Sequence, residues 1–234
     1  MLVAAAVCPH PPLLIPAVAA GAAAELDDLR GACSRAIGRL LSAAPDVVCI
    51  VGAAPAVRWY GDGDSGSLRP YGVPLDIALD TATSGAPALP LSLTVGAWLL
   101  RGAGWPGERR ALGVPRQVAD AHLGRLAAEA TGTAQRVGLL VMADGSARRS
   151  EKAPGYVDPR AEGFDRAVGA ALAGADTMAL AGLDQQLGDD LLAAGTAPLR
   201  LLGRAAAQDG WDAELLAATA PYGVGYFVAV WERR

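Results

Sequence analysis

The chain has 234 residues, enough for one large or two small domains, and 52% of them are hydrophobic against 19% charged. This composition supplies a sizeable buried core and excludes a disordered protein. The formal net charge is −4 and the arginines occur as scattered pairs rather than as a basic stripe, which excludes nucleic acid as a partner.

The cysteines and the apolar segments indicate the cellular compartment. Cys8, Cys33 and Cys49 form no CxxC pair, a pattern typical of reduced thiols in a cytoplasmic protein. The apolar N-terminal segment has no basic residue before Arg30, and its prolines would break the helix of a signal peptide. No apolar run is long enough to span a bilayer. We therefore expect a cytoplasmic protein that is not associated with a membrane.

The first third of the chain predicts a parallel strand pair joined by a helix. Residues 2–7 form an apolar run that ends at the motif CPHPP, residues 8–12, which is typical of a buried strand followed by a rigid loop. From about residue 22 to residue 41 apolar side chains recur at helical spacing, and residues 46–51 predict a second buried strand. This order is that of a βαβ unit.

The following segment, residues 52–90, predicts a long loop-rich excursion. It contains many Gly, Pro, Asp and Ser residues and one candidate strand around residues 75–79. Loops of this length in compact domains are often functional or mobile.

The remaining chain alternates between predicted helices and strands. Its elements are helices over residues 92–100, 116–130 and 160–208, the last of them interrupted by glycines, and strands over residues 110–114, 136–142 and 223–230. There is no internal repeat and no clear linker. The sequence therefore predicts one α/β domain over residues 1–234, with a mostly parallel central sheet flanked by helices.

Ligands of an open α/β sheet bind beyond the carboxyl ends of its strands. The segments 8–12, 52–57 and 144–149 each follow a predicted strand and reach that edge. His10 is fixed between two prolines and offers an imidazole as base or metal ligand, although a loop histidine can also simply cap a carbonyl. Asp144 and Ser146 offer a carboxylate and a hydroxyl on a tight turn, or act as caps for the next element. His122 lies within a predicted helix and is interpreted as structural.

Four segments resemble, in the same order, parts of one known superfamily. They are VCPHPPLLIP at residues 7–16, VMADGSA at 141–147, APGY at 153–156 followed by FD at 164–165, and PYGVGY at 221–226. The superfamily contains the catalytic subunits of class III extradiol ring-cleaving dioxygenases and the Memo-like proteins. The resemblance spans nearly the whole chain, and it implies the fold of the extradiol dioxygenase catalytic subunits.

The same resemblance implies a degenerate metal site. In the active dioxygenases two histidines and a carboxylate hold ferrous iron, and a further histidine acts as acid and base. His10 matches the first ligand, and Glu214, which precedes the last strand, is assigned as the carboxylate. The second ligand falls near Ala53 or Ala54 and the acid/base at Ala147, all of which are alanines here. We therefore expect no cofactor, with a divalent ion such as Fe(II) or Zn(II) as the alternative.

Four functional hypotheses follow from these residues. The first is a non-catalytic descendant that binds a small molecule or a partner in the ancestral cleft. The second is a metal-dependent oxidoreductase with a site rebuilt from His10, Asp144 and Glu214. The third is a metal-free enzyme in which Asp144 and Ser146 act on a substrate anchored by Arg148 or Lys152. The fourth is a role in assembly as a homo-oligomer.

Overall fold

The computed structural model describes residues 1–80, 86–208 and 210–234. Within these ranges the strands, named in chain order, are β1 Leu2–Cys8, β2 Val47–Ala53, β3 Arg58–Tyr60, β4 Ser65–Ser67, β5 Asp76–Ala78, β6 Glu108–Val114, β7 Val137–Met142, β8 Trp211–Thr219 and β9 Tyr226–Arg233. The α-helices are α1 Pro16–Ala19, α2 Asp27–Ser42, α3 Leu91–Gly102, α4 Asp120–Thr131, α5 Arg160–Ala173, α6 Thr177–Ala181, α7 Gln185–Asp190 and α8 Thr196–Ala205, and short 3₁₀ helices cover Pro12–Leu14, Ala20–Leu26 and Arg69–Tyr71.

Seven of these strands form one sheet in the order β3-β6-β2-β7-β1-β9-β8. The four strands β6, β2, β7 and β1 run parallel, whereas β3, β9 and β8 are added antiparallel at the edges. The register pairs Cys8 and Gly52 with Met142, so β1, β2 and β7 end at the same level. This arrangement confirms the expected α/β class with a mostly parallel central sheet flanked by helices.

The core lies on both faces of the sheet, so β1 and β7 are buried throughout and β2 is buried except at its last residue, Ala53. One apolar cluster contains Ala5 and Val7 of β1 together with residues of α4, α5 and α8. The other contains Ala4, Ala6 and Cys8 of the same strand with residues of α2 and α3. Alternate residues of one strand thus point to opposite layers, as the pleat requires.

Helix α2 illustrates why the sequence folds in this way. Its buried residues Leu29, Cys33, Ile37 and Leu40 are spaced three or four apart and line one face. That face packs on the sheet. The negative charges of Asp27 and Asp28, in the first turn, interact favourably with the positive end of the helix dipole.

Strand β8 is the main element that sequence patterns do not predict. Its sequence WDAELLAAT contains mostly residues that prefer helices, yet it pairs along its length with β9. Pairing with β9 makes this segment a strand rather than a helix, because the preference of residues for strands depends strongly on the neighbouring strands. The 52–90 excursion contains β3, β4 and the expected strand near residues 75–79, and its residues 81–85 lie outside the described ranges. No helix in these ranges is both long and apolar enough to cross a membrane.

Candidate functional site

The two sharpest sequence candidates meet at the carboxyl edge of the central sheet. His10 lies two residues beyond β1 and Asp144 two residues beyond β7, and these strands are parallel neighbours. The main-chain N–H of His10 donates a 2.8 Å hydrogen bond to Oδ1 of Asp144. The same oxygen lies 3.6 Å from Nδ1 of the His10 imidazole. The expected convergence of the segments after β1 and β7 is therefore present.

The His10 imidazole is buried and incompletely bonded. The residue is 6% exposed, and its Nδ1 atom is buried without a hydrogen-bond partner among the described residues. A separation of 3.6 Å is too long for a hydrogen bond, so the contact with Asp144 is electrostatic. Buried polar atoms without partners are uncommon in folded proteins, and they mark positions where a proton, a water molecule or a ligand completes the structure.

Asp144 occupies an environment that disfavours its charge. Burial raises the pKa of this carboxyl, while the neighbouring His10 imidazole and the bond from the His10 N–H act in the opposite direction. The backbone of Asp144 pairs with that of Tyr226, the first residue of β9. Burial and the Asp144 charge in turn raise the pKa of Tyr226 well above its usual range. His10 thus acts electrostatically on Asp144, and Asp144 acts on Tyr226.

Ser146 is bonded inside the protein rather than directed to an open cleft. It is fully buried, its main-chain N–H donates to Oδ1 of Asp165 at 2.8 Å, and its hydroxyl donates to Oδ2 at 2.8 Å. Arg149 donates to the same Oδ2 at 3.3 Å. Burial raises the pKa of Asp165, and these three donors oppose the shift. The arrangement favours a structural role for Ser146, as the anchor of the turn.

Glycines make room for the Asp165 carboxylate. A Cβ atom at Gly145 would lie 2.6 Å from Asp165 Oδ1, and one at Gly225 would lie 2.5 Å from Oδ2. Both distances are much shorter than a normal van der Waals contact, so side chains at these positions would displace the carboxylate. Arg149 and Asp165 belong to segments that the sequence singles out, 144–149 and 164–165, but their contact is not predicted, since a helical aspartate carries no local signal of its distant partners.

Glu214 lies apart from this site. It belongs to β8, opposite Val230 of β9, and forms an ion pair with Arg39 of α2, which also pairs with Glu232. The structure thus brings together His10 and Asp144 but not His10 and Glu214. His122 is half-buried on α4, Lys152 is exposed, and Arg148 has its Nε buried without a partner in the described part of the chain.

A ferrous or zinc centre does not fit the residues present. Across the three described ranges no group of three or more His, Cys, Asp or Glu side chains could hold a metal ion. The positions that the resemblance assigns to the other histidines are alanines, of which Ala147 is buried against apolar neighbours. One histidine and one carboxylate provide neither the ligand number nor the geometry of such centres.

Comparison with known proteins supports the fold and goes no further. No family model and no curated protein match this chain. Among solved structures it is similar to the uncharacterized protein JW3007 from Escherichia coli K12, with 13% sequence identity and a TM-score of 0.51. The alignment covers 98% of this chain and 99% of that protein. At this identity the likeness shows a shared fold over the full length of both chains.

Proposed function

We propose that this chain is a divergent member of the class III extradiol dioxygenase-like superfamily that binds a small hydroxyl-bearing molecule at His10 and Asp144 without cleaving it. One observation carries the proposal: the His10 imidazole is buried beside Asp144, whose Oδ1 lies 3.6 Å from Nδ1, at the sheet edge where ligands of open α/β sheets bind. The resemblance supplies the ligand class, since the active dioxygenases bind catechols.

The pairing of imidazole and carboxylate defines what the site recognises. A carboxylate at 3.6 Å from Nδ1 favours the tautomer that carries its proton on that nitrogen. Nε2 is then a hydrogen-bond acceptor, which suits the O–H of a phenol or catechol. Asp144 orients the ring, and Tyr226, whose backbone pairs with that of Asp144, belongs to a buried apolar cluster that also contains Ala147 and Val224. Ring cleavage is excluded from the proposal because alanines occupy the positions that the resemblance assigns to the second ligand and the acid/base histidine.

The sequence offers a direct test because it contains only two histidines. The imidazole nitrogens of ¹⁵N-histidine-labelled protein are recorded by NMR during titration with catechol, phenol and cyclohexanol, without added metal. We expect the His10 signals to shift and saturate with at least one of these probes, while the His122 signals stay in place as an internal reference. A His10→Ala variant assigns the spectrum, and it retains the backbone bond to Asp144.

A parallel measurement tests the metal alternative. Protein purified without oxygen is reconstituted with ferrous, manganous or zinc ions, and metal content and catechol-dependent oxygen uptake are determined. We expect no stoichiometric metal and no oxygen uptake. One equivalent of metal that is lost in His10→Ala, together with oxygen uptake, would replace the proposal with a metal-dependent oxidoreductase. Unchanged His10 signals with all three probes would remove the binding proposal.

A further inference from the structure

Strand β8 forms an open edge of the central sheet. It stands last in the strand order and pairs with β9 on one side, and in the described ranges no strand pairs with its other side. The outer side of an edge strand carries main-chain N–H and C=O groups that can pair with another chain. This edge is therefore a candidate interaction surface.

The second half of β8 lacks residues that commonly protect such an edge. The charged residues of the strand, Asp212 and Glu214, both lie in its first half, and the strand contains no lysine or proline. The stretch 215–219, with the sequence LLAAT, carries no charge, and its two leucines are only half-buried. Natural edge strands usually carry charged residues or proline, or are covered by another element. The stretch 215–219 is thus suited to being covered.

Helix α2 borders the same edge and runs antiparallel to β8. Just before the helix, Oη of Tyr222 donates a 2.8 Å hydrogen bond to Oε2 of Glu25, and near the other end Arg39 forms an ion pair with Glu214. A cavity of about 680 Å³, which we name the α2 cavity, lies between helix and strand. The residues that line it include Asp28, Gly31, Arg35, Leu216, Ala217 and Thr219. The middle of α2 therefore lies beside the uncharged half of β8.

The charges on this side of α2 are complementary to those of a second, antiparallel copy. Asp28 and Arg35 are seven residues apart, which is about two turns or roughly 10 Å along the helix, too far for an ion pair with each other. Both are exposed, and within the described ranges neither forms an ion pair. Gly31 lies between them and has no side chain to hold another helix away. An antiparallel α2 helix that crosses near Gly31 would place each Asp28 beside Arg35 of the other copy.

We propose that the β8 edge binds a second copy of this chain about a two-fold axis. The two α2 helices cross near Gly31, and the 215–219 stretches of the two β8 strands lie side by side. A two-fold axis repeats every contact, so the interface contains two identical pairs of Asp28 with Arg35. This charge order selects a second copy over an unrelated partner, because an acid and a base at opposite ends of one helix complement the same helix in antiparallel orientation. The surface contains neither His10 nor Asp144, so the inference is independent of ligand binding there.

Sedimentation velocity of the full chain over a range of concentrations tests the assignment. We expect a monomer–dimer equilibrium. Arg35→Glu and Asp28→Arg each bring like charges together at both contacts, so each should raise the dissociation constant by about tenfold or more. Arg125→Glu, at an exposed position of α4, is the matched control and should leave it unchanged.

An equimolar mixture of the two weakened variants gives the sharpest result. One copy of each again places opposite charges at both contacts, so the mixture should dimerise although neither variant does so well alone. A mixture that stays monomeric would show that these residues do not meet across a two-fold axis.

The helix crossing is tested by Gly31→Leu, which should also raise the dissociation constant by about tenfold or more. A Cβ atom at Gly31 would meet only Nη1 of Arg35, at 3.7 Å, outside its own helix backbone and chain neighbours, so the substitution fits the folded monomer. Gly38→Leu is the control, since Gly38 is exposed on the same helix, is equally open and does not line the α2 cavity. Circular dichroism establishes that each variant is folded. A wild type that is monomeric at all concentrations would overturn the proposal, and so would folded Arg35→Glu and Gly31→Leu proteins that dimerise like wild type.

Discussion

The main-chain N–H of His10 and Oδ1 of Asp144 are joined by a 2.8 Å hydrogen bond across 134 residues of sequence. The bond ties the loop after β1 to the loop after β7, which are adjacent only because these strands are parallel neighbours. The backbone therefore fixes where the imidazole lies, while the charge of the carboxylate acts on its Nδ1 atom. Asp144 thus has two roles that can be separated: it accepts the hydrogen bond that positions the His10 backbone, and its charge acts on the His10 imidazole.

Replacement of Asp144 separates these roles. Asp144→Ala removes the acceptor and leaves the buried N–H of His10 without a partner, which costs about 1–3 kcal/mol of unfolding free energy. Asp144→Asn retains an amide oxygen as acceptor and should be clearly less destabilising. Urea denaturation measures both changes. Equal losses in the two variants would contradict the importance of the hydrogen bond.

The sequence predicts the central sheet better than its periphery. The apolar runs that form β1, β2 and β7 are buried on both faces and therefore visible as continuous hydrophobic segments. Edge strand β8 gives no such signal, because only its first residue, Trp211, is buried. Its existence depends on pairing with β9, a distant relationship that local patterns do not contain.

The candidate site divides in the same way. The convergence of His10 and Asp144 is predictable, since each follows a recognisable strand. The partner of Ser146 is not, because Asp165 lies 19 residues further on a helix whose rotation is set by packing. Glu214 is assigned as a metal ligand from its position before the last strand. Its ion pair with Arg39 is not predictable, because Arg39 belongs to a helix 175 residues earlier in the sequence.

The raised pKa of Asp144 leads to a pH prediction whose direction is unusual for a carboxyl. In the folded chain this group binds its proton at pH values where the unfolded chain, with a pKa near the ordinary 3.8, is already ionised. The folded state therefore binds more protons in that window, and its stability falls as pH rises through it. Asp144→Asn lacks this titration. As pH is lowered from neutrality to about 4, wild type should gain stability relative to the variant.

Urea denaturation of wild type and Asp144→Asn at several pH values between about 4 and neutrality measures the effect. Subtracting the unfolding free energies of the two proteins cancels the contribution of all other titrating groups. A difference that is independent of pH would show that the Asp144 carboxyl has the same pKa in both states. A difference that shifts in favour of the variant at low pH would reverse the predicted sign.

Gly195 supports the Asp144 turn from the other side. Its N–H donates to the carbonyl oxygen of Asp144 at 2.8 Å, and a Cβ atom here would lie 2.6 Å from that oxygen and 2.9 Å from the Cα atom of Ala143. Because both contacts are with backbone, Gly195→Ala forces the turn to move and should cost about 1–3 kcal/mol. The His10 imidazole signals should shift as well.

Gly163→Ala is the matched control for this substitution. Gly163 lies on the exposed side of α5, and apart from its chain neighbours and the backbone of its own helix no atom of the described chain lies within 4 Å of the added methyl group. Removal of a helical glycine should stabilise the chain by about 0.5–1 kcal/mol and leave the His10 signals unchanged. If both glycine variants were equally stable, the close approach of Gly195 to Asp144 would not be the cause of any loss.

Ser146→Ala distinguishes a structural serine from a ligand-binding one. The substitution removes the hydroxyl donor to Oδ2 of Asp165 but retains the main-chain donor to Oδ1. Hydrogen bonds to buried charged groups are worth about 1.5–3 kcal/mol, so unfolding free energy should fall by that amount. Ser42→Ala, which removes an exposed hydroxyl that bonds only within helix α2, should change stability by less than about 0.5 kcal/mol.

If the turn is anchored as observed, the folded Ser146→Ala protein should still show the same response of His10 to catechol. A normal stability combined with a lost response would instead place the Ser146 hydroxyl in contact with the ligand, and would assign the turn a direct part in recognition.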